Sequence, residues 1–164
     1  MFLSEAYQVG EALAVDGHEV IYGGCSVGCM GALADGVVSK KGRLIGVVPE
    51  LDFMQGIVYP KLSEHHVVST MSARKQLMID LAEAFIVFPG GLGTLDEALD
   101  VLALKSVGSL DKQVIFYNFL DTWRPFLDAM DILCEQGLIL GSIAQMVRVV
   151  DKTADLRENC QNDF

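Results

Sequence analysis

Positive charge is scarce in this chain. Its 164 residues carry 12 Lys and Arg against 22 Asp and Glu, a formal net charge of −10. The sequence pI is near 4.6, so there is no basic face to neutralise a phosphate backbone; this argues against nucleic acid, single-stranded DNA included. A small phosphorylated ligand stays open, because it needs only one local positive pocket. Long apolar runs are missing too. None reaches the ~18 residues of a membrane span, and the start shows no basic region leading into an apolar stretch. The 4 cysteines (Cys25, Cys29, Cys134, Cys160) form no CxxC pair and have no His at zinc spacing. The expectation is therefore no metal, and buried apolar thiols in a reducing cytosol. With only 4 Pro and no repeat, low-complexity tract or Pro/Ser-rich linker, the reading is one domain over residues 1–164.

What is present is hydrophobicity, 51% of the residues, spread along the whole length. That excludes disorder. A chain of this size buries roughly two-thirds of the surface it exposes unfolded, so no disulfide or metal staple is required. The apolar residues fall into a rhythm of helical pattern, short apolar run and glycine turn. Leu3, Val9, Ala12, Leu13 and Val15 fit one face of a helix that Gly17 ends, and Val20-Ile21-Tyr22 then runs into Gly23-Gly24. A helix from about Gly28 to Ser39 precedes the strand Leu44–Val48, which Pro49 stops. Val67-Val68 precedes a helix from Met71 to about Glu83, and Ala84–Phe88 leads through a second glycine turn to a helix ending near Val107. Val114–Tyr117, a helix over Phe126–Gln136 that Trp123-Arg124-Pro125 opens against the core, and a last strand over Met146–Val150 complete the pattern. Short continuous strands alternating with helices predict an α/β fold, a Rossmann-like doubly wound parallel sheet buried on both faces. Ligands in such sheets bind beyond the carboxyl ends of the strands.

The two glycine turns, Gly23–Gly31 and Pro89–Thr94, each follow a strand and open a helix. Glycine lets backbone N–H groups approach an anion, and the unpaired N–H groups of the following helix then point at it. Tight helix–strand packing is the alternative for both. Neither is a P-loop, since no Gly-Lys-Ser/Thr follows, and neither is G-x-G-x-x-G in register, since Asp96 stands where the third glycine belongs. No G-x-S-x-G elbow accompanies His18, His65 and His66, so no Ser-His-Asp triad can be assembled; the adjacent histidines at the strand entrance read as surface chemistry. Thr70 as a helix cap puts Arg74 and Lys75 near a positive helix end, unfavourable by ~0.3–1 kcal/mol unless an anion or solvent offsets it. Thr94-Leu95-Asp96-Glu97 fits the capping box S/T-x-x-E, which would fold Glu97 back on its own helix. The same carboxylate also lies one turn from the proposed phosphate, where it could face a sugar.

Tyr22–Gly31, Gly46–Glu50, Met71-Ser72-Ala73-Arg74-Lys75 and Pro89-Gly90-Gly91-Leu92-Gly93-Thr94-Leu95-Asp96-Glu97 resemble, in order and spacing, the LONELY GUY (LOG) family. The likeness runs from the first helix to about Val150. Members are cytokinin riboside 5′-monophosphate phosphoribohydrolases, long mislabelled as lysine decarboxylases; no lysine here sits in a recognisable pyridoxal phosphate setting. The resemblance implies a Rossmann-like fold, a dimer or larger assembly, no metal or organic cofactor, and hydrolysis of the N-glycosidic bond of AMP or N6-substituted AMP. It implies Arg74 and Glu97 as the catalytic pair, and Gly90, Gly91, Gly93 and Thr94 at the 5′-phosphate. Met71, Lys75, Gly24 and Ser26 join them in binding the nucleotide.

This sequence departs from the family in three places. The opening strand and its Gly-Ser-Ser turn have no counterpart, since Met1 falls where the first helix begins. Cys25 replaces a glycine, and Leu104-Lys105-Ser106 stands where many relatives carry an aromatic residue and a glutamine. A start lying upstream is the first expectation for the missing strand, loss of activity the second. The leading reading is N-glycosidic hydrolysis through an oxocarbenium-like transition state, with a nucleoside 5′-monophosphate as partner. A nucleotide-binding or carrier module without turnover is the alternative. Leu99, Val101, Leu102, Leu104 and Val107 make the helix after Thr94 apolar on more than one face, and with the resemblance this predicts a homodimer.

Overall fold

A computed structural model describes residues 1–50 and 56–162, and its contacts divide the chain into two compact units, 1–82 and 83–164. The first unit runs α1 (Phe2–Val15), β1 (Val20–Tyr22), α2 (Gly28–Ser39), β2 (Leu44–Pro49), β3 (Glu64–Val68) and α3 (Met71–Leu81). Its three strands are parallel in the order β1-β2-β3, with Tyr22 opposite Gly46 and Val47 opposite His66. β2 is buried at every position. That is the pattern of a strand hydrogen-bonded along both edges and covered on both faces, and it explains the unbroken run Leu-Ile-Gly-Val-Val. β3 lies at the sheet edge and alternates between half-buried and exposed. His65 and His66 sit inside this strand rather than at its entrance, and His66 Nε2 lies 2.8 Å from Glu64 Oε1.

α1 and α2 pack through residues without side chains. A Cβ on Gly36 would lie 2.1 Å from Tyr7 O, and one on Gly10 would lie 2.3 Å from Leu33 O. The buried face of α1 is therefore Ala6, Val9, Gly10 and Leu13, at helical spacing around that contact. Leu3 and Val15, expected on the same face, are 54% and 61% exposed. The glycine contact sets the angular position of the face and leaves both residues outside it.

The second unit runs β4 (Ala84–Val87), α4 (Leu92–Ser106), β5 (Gln113–Tyr117), α5 (Arg124–Glu135), α6 (Ile143–Met146), β6 (Arg148–Val150) and α7 (Thr153–Asn162). Its strands are again parallel, in the order β4-β5-β6. Phe116 and Tyr117 on the central strand are fully buried, and Phe116 meets Trp123 edge to face with centroids 5.6 Å apart. Trp123 is the N-cap of α5 with Pro125 in the first turn, the core-facing helix start read from the sequence. The strand expected over Met146–Val150 is the last strand but shorter, Arg148–Val150. Ser142 starts a helical turn, its N–H donating to Gln145 Oε1 at 3.3 Å in a capping box, so Met146 ends a helix, and α7 follows the strand. In both units parallel strands alternate with helices, the α/β class expected. The opening strand of the family this chain resembles has no counterpart among the described residues; β1 pairs with β2 and β4 with β5, each along one edge.

The α1–α2 contact gives a stability prediction. Gly36→Val forces two backbones apart and should cost about 1–3 kcal/mol, read as a lower midpoint in a urea melt; an unchanged midpoint would show that the helices can part freely.

Candidate active site

The first unit carries Gly24, Ser26, Met71, Arg74 and Lys75. Thr70 caps α3, its Oγ1 accepting the Ala73 N–H at 3.0 Å. That start places Met71, Arg74 and Lys75 in the first turn and a half, near the end of the helix dipole that disfavours cations. Arg74 is nevertheless buried, 7% exposed, and its Nε donates to Val47 O at 3.1 Å. An extended β2 presents this carbonyl near its carboxyl end. Met71 is exposed and Lys75 half-buried, and their spacing of four places them on one side of the helix.

Between β1 and α2 the first glycine turn is tied to residues 57–59. Ser26 N–H and Ser26 Oγ both donate to Ile57 O, at 2.7 and 2.8 Å, Tyr59 N–H donates to Gly24 O at 2.8 Å, and Cys25 bridges Val58. Gly24 has φ +73°, and a Cβ there would lie 2.4 Å from Val48 Cγ2, so both conformation and space require glycine. Tyr59 fixes the far end of this strap: its hydroxyl donates to Asp35 Oδ1 on α2 at 2.8 Å.

Gly90, Gly91, Gly93, Thr94 and Glu97 belong to the second unit. α4 begins at Leu92 with Gly91 as its N-cap, and the Leu95 N–H donates to Gly91 O at 3.1 Å. Thr94 is thus the third residue of the helix, not its cap, and the capping-box alternative for Thr94–Glu97 is removed by that register. Gly91, as the N-cap, brings no side-chain cap hydrogen bond, and the first turn holds no acidic residue. A Cβ at Gly91 or Gly93 would meet nothing within 4 Å, whereas one at Gly90 would lie 2.1 Å from Thr94 Oγ1. Space is therefore open beside Gly91 and Gly93, while Thr94 folds over Gly90. The amides of such a helix end are an anion site by geometry and by dipole. Glu97 is half-buried one turn further on.

Sequence reading did not find the groups that hold these elements. Trp123 Nε1 donates to Val87 O at 3.2 Å, anchoring the last residue of β4 just before the second glycine turn. The Trp123 N–H donates to Asn118 Oδ1 at 2.9 Å, and Asn118 Nδ2 donates to Asp121 and Asp151. Asp151 is 33 residues from Asn118 and Val47 is 27 from Arg74; no local pattern signals bonds that long.

Tyr59 yields a pH prediction. Burial first, then its bond to Asp35, pushes the phenol from an ordinary value of 10 up to about 12, and burial raises Tyr22 as well. A raised folded-state value stabilises the fold at pH values below the unfolded one, and that stability is lost as pH climbs. The thermal midpoint should fall from about pH 10 to about pH 12, and Tyr59→Phe should make the fall shallower; an identical slope in both proteins would remove Tyr59 as a contributor.

A family model described as "Possible lysine decarboxylase" matches residues 30–160. A protein of Mycobacterium tuberculosis (strain ATCC 25618 / H37Rv) named cytokinin riboside 5′-monophosphate phosphoribohydrolase is 34% identical over 166 residues, covering 96% of this chain and 84% of its own length. One of the same name from Rhodococcoides fascians is 36% identical over 132 residues, covering 80% and 67%. Among solved structures, the molybdenum cofactor carrier protein from Chlamydomonas reinhardtii superposes with a TM-score of 0.74 at 21% identity, over 98% of this chain and 86% of that one. A molybdenum cofactor binding protein from Rippkaea orientalis gives 0.73 at 22% identity, with the same coverage. At such identities the structural likeness speaks for the α/β fold alone. The sequence matches go further: they span nearly the whole chain and include both Met71–Lys75 and Pro89–Glu97, and the chain belongs to the LONELY GUY (LOG) family.

Proposed function

We propose that this protein hydrolyses the N-glycosidic bond of adenosine 5′-monophosphate and its N6-substituted forms, releasing the free base and ribose 5-phosphate. The names of its relatives support a hydrolase of this class. The observation that carries the reading is the start of α4. Gly91 caps it without a side chain of its own, and open space adjoins Gly91 and Gly93. In this reading the 5′-phosphate takes those amides, with Thr94 beside them, and Met71 and Lys75 bind the nucleotide. Gly24 and Ser26 serve the nucleotide through the frame of the first turn, since both Ser26 donors are spent on Ile57.

The chemistry balances with water as the one co-reactant. The bond from C1′ to the base nitrogen breaks, positive charge develops on the ribose, the water oxygen bonds C1′, and a proton ends on the base. A carboxylate one turn from a phosphate anchor suits that charge, so Glu97 stabilises it or orients the water. Arg74, the other member of the pair, supplies a guanidinium for the anions of the reaction. Phosphate binding remote from the scissile bond holds the sugar in a reactive position.

Glu97→Gln should keep nucleotide binding and lose about 10²-fold or more in turnover, measured as free base released from AMP and an N6-alkyl AMP by chromatography. Full activity in that variant would take Glu97 out of the mechanism. Calorimetric binding by the unaltered chain with no base released would favour the carrier alternative. We also propose a homodimer built on α4, where Ala98, Val101 and Leu102 are buried while Leu99 and Val107 are 44% and 71% exposed. Sedimentation should give twice the 17.8 kDa chain mass, and a Leu99→Asp variant should shift it to the single-chain value; a single-chain mass before substitution rejects the dimer.

A further inference from the structure

We infer that Gly23 is a positioning residue for Arg74: the missing side chain at this position leaves the space in which the buried guanidinium sits. The functional half of this inference rests on the proposed role of Arg74; the structural half does not. A Cβ on Gly23 would lie 1.9 Å from Arg74 Nη2 and 3.1 Å from Cζ, with Met30 Sδ next at 3.4 Å. Real Cβ atoms do not approach that closely, so the space beside Gly23 already belongs to the arginine.

Two features make this a requirement of space rather than of backbone conformation. Gly23 is absent from the positive-φ residues, whereas Gly24 beside it has φ +73°, so alanine fits the Gly23 backbone. The obstacle is also the far end of a side chain and not another backbone. The fold can therefore accept alanine, and the arginine has to give way. It has little room to do so, because the side chain is 7% exposed and its Nε donates to Val47 O at 3.1 Å; moving the guanidinium to clear a Cβ works against that buried bond. Gly23 follows the last residue of β1, and Val47 lies one residue beyond Gly46, the partner of Tyr22 on β2. The ends of two neighbouring strands thus form one seat, with a carbonyl on one side and a vacant Cβ position on the other. Displacing a reacting group by about 1 Å can cost on the order of 10²-fold in rate.

The test is a double-mutant cycle with Gly23→Ala, Arg74→Ala and both together, read twice. In the first reading, base release from AMP, Gly23→Ala should lower kcat at least tenfold, and the double variant should be no slower than Arg74→Ala alone, because Gly23 acts only through the arginine. Wild-type turnover in Gly23→Ala, or a further loss added on top of Arg74→Ala, overturns the inference. In the second reading, thermal midpoints, Gly23→Ala should lower the midpoint with Arg74 present and leave it level or higher with Arg74→Ala; an equal change in both backgrounds overturns it. If Arg74→Ala turns over normally, the role proposed for Arg74 fails; if the unaltered chain releases no base, the proposed function fails; in either case the midpoint cycle alone decides whether the seat exists.

Discussion

Close approach of one backbone to another group, permitted where a side chain is missing, is the constraint on which the rest of this structure depends. Gly36 lets α2 lie against the Tyr7 carbonyl of α1, Gly24 accepts the Val48 methyl, and Gly90 accepts the Thr94 hydroxyl. Each replaces side-chain volume by contact between polypeptide segments, and each falls where a strand end or helix face must meet its neighbour. The same economy that packs the helices leaves open space beside Gly91 and Gly93 at the start of α4. Framework and candidate chemistry are built by one device.

Electrostatically the arrangement suits an acidic chain. With a formal charge of −10, a diffuse attraction for phosphate is absent, and an anion has to be captured locally. Aligned N–H groups at a helix start do this without adding net charge. A guanidinium kept out of water by β2 and α3 adds one fixed cation in a low-dielectric setting, where it acts more strongly on nearby charge than a solvated lysine. Its burial at the unfavourable end of a helix costs free energy, and the Val47 carbonyl offsets part of that by accepting from Nε.

Elements governed by local rules were legible in the sequence. α2 spans Gly28–Ser39 as periodicity implies, Thr70 caps α3, and Trp123 opens α5. The sequence left alternatives open where two local rules competed. Thr94–Glu97 and Ser142–Gln145 both fit the capping box, yet only the second forms one, because Gly91 had already started α4 three residues earlier. Leu3 and Val15 are apolar at workable spacing and still face outward, since the orientation of α1 is decided by glycine contacts with a helix some twenty residues away. Of the candidate site, the residues were visible as motifs. Their supports were not: the carbonyl under Arg74, the strap from Tyr59 to Asp35 and the indole at Val87 depend on pairings across 24 to 36 positions.

The indole has one more consequence. Trp123 is the single tryptophan of the chain, and its N–H is bonded to the carbonyl directly ahead of the second glycine turn. Emission from an indole responds to the polarity and hydrogen bonding around it, so the molecule contains an intrinsic fluorophore bonded to the end of β4, and any rearrangement of that strand end registers in its emission with no label attached.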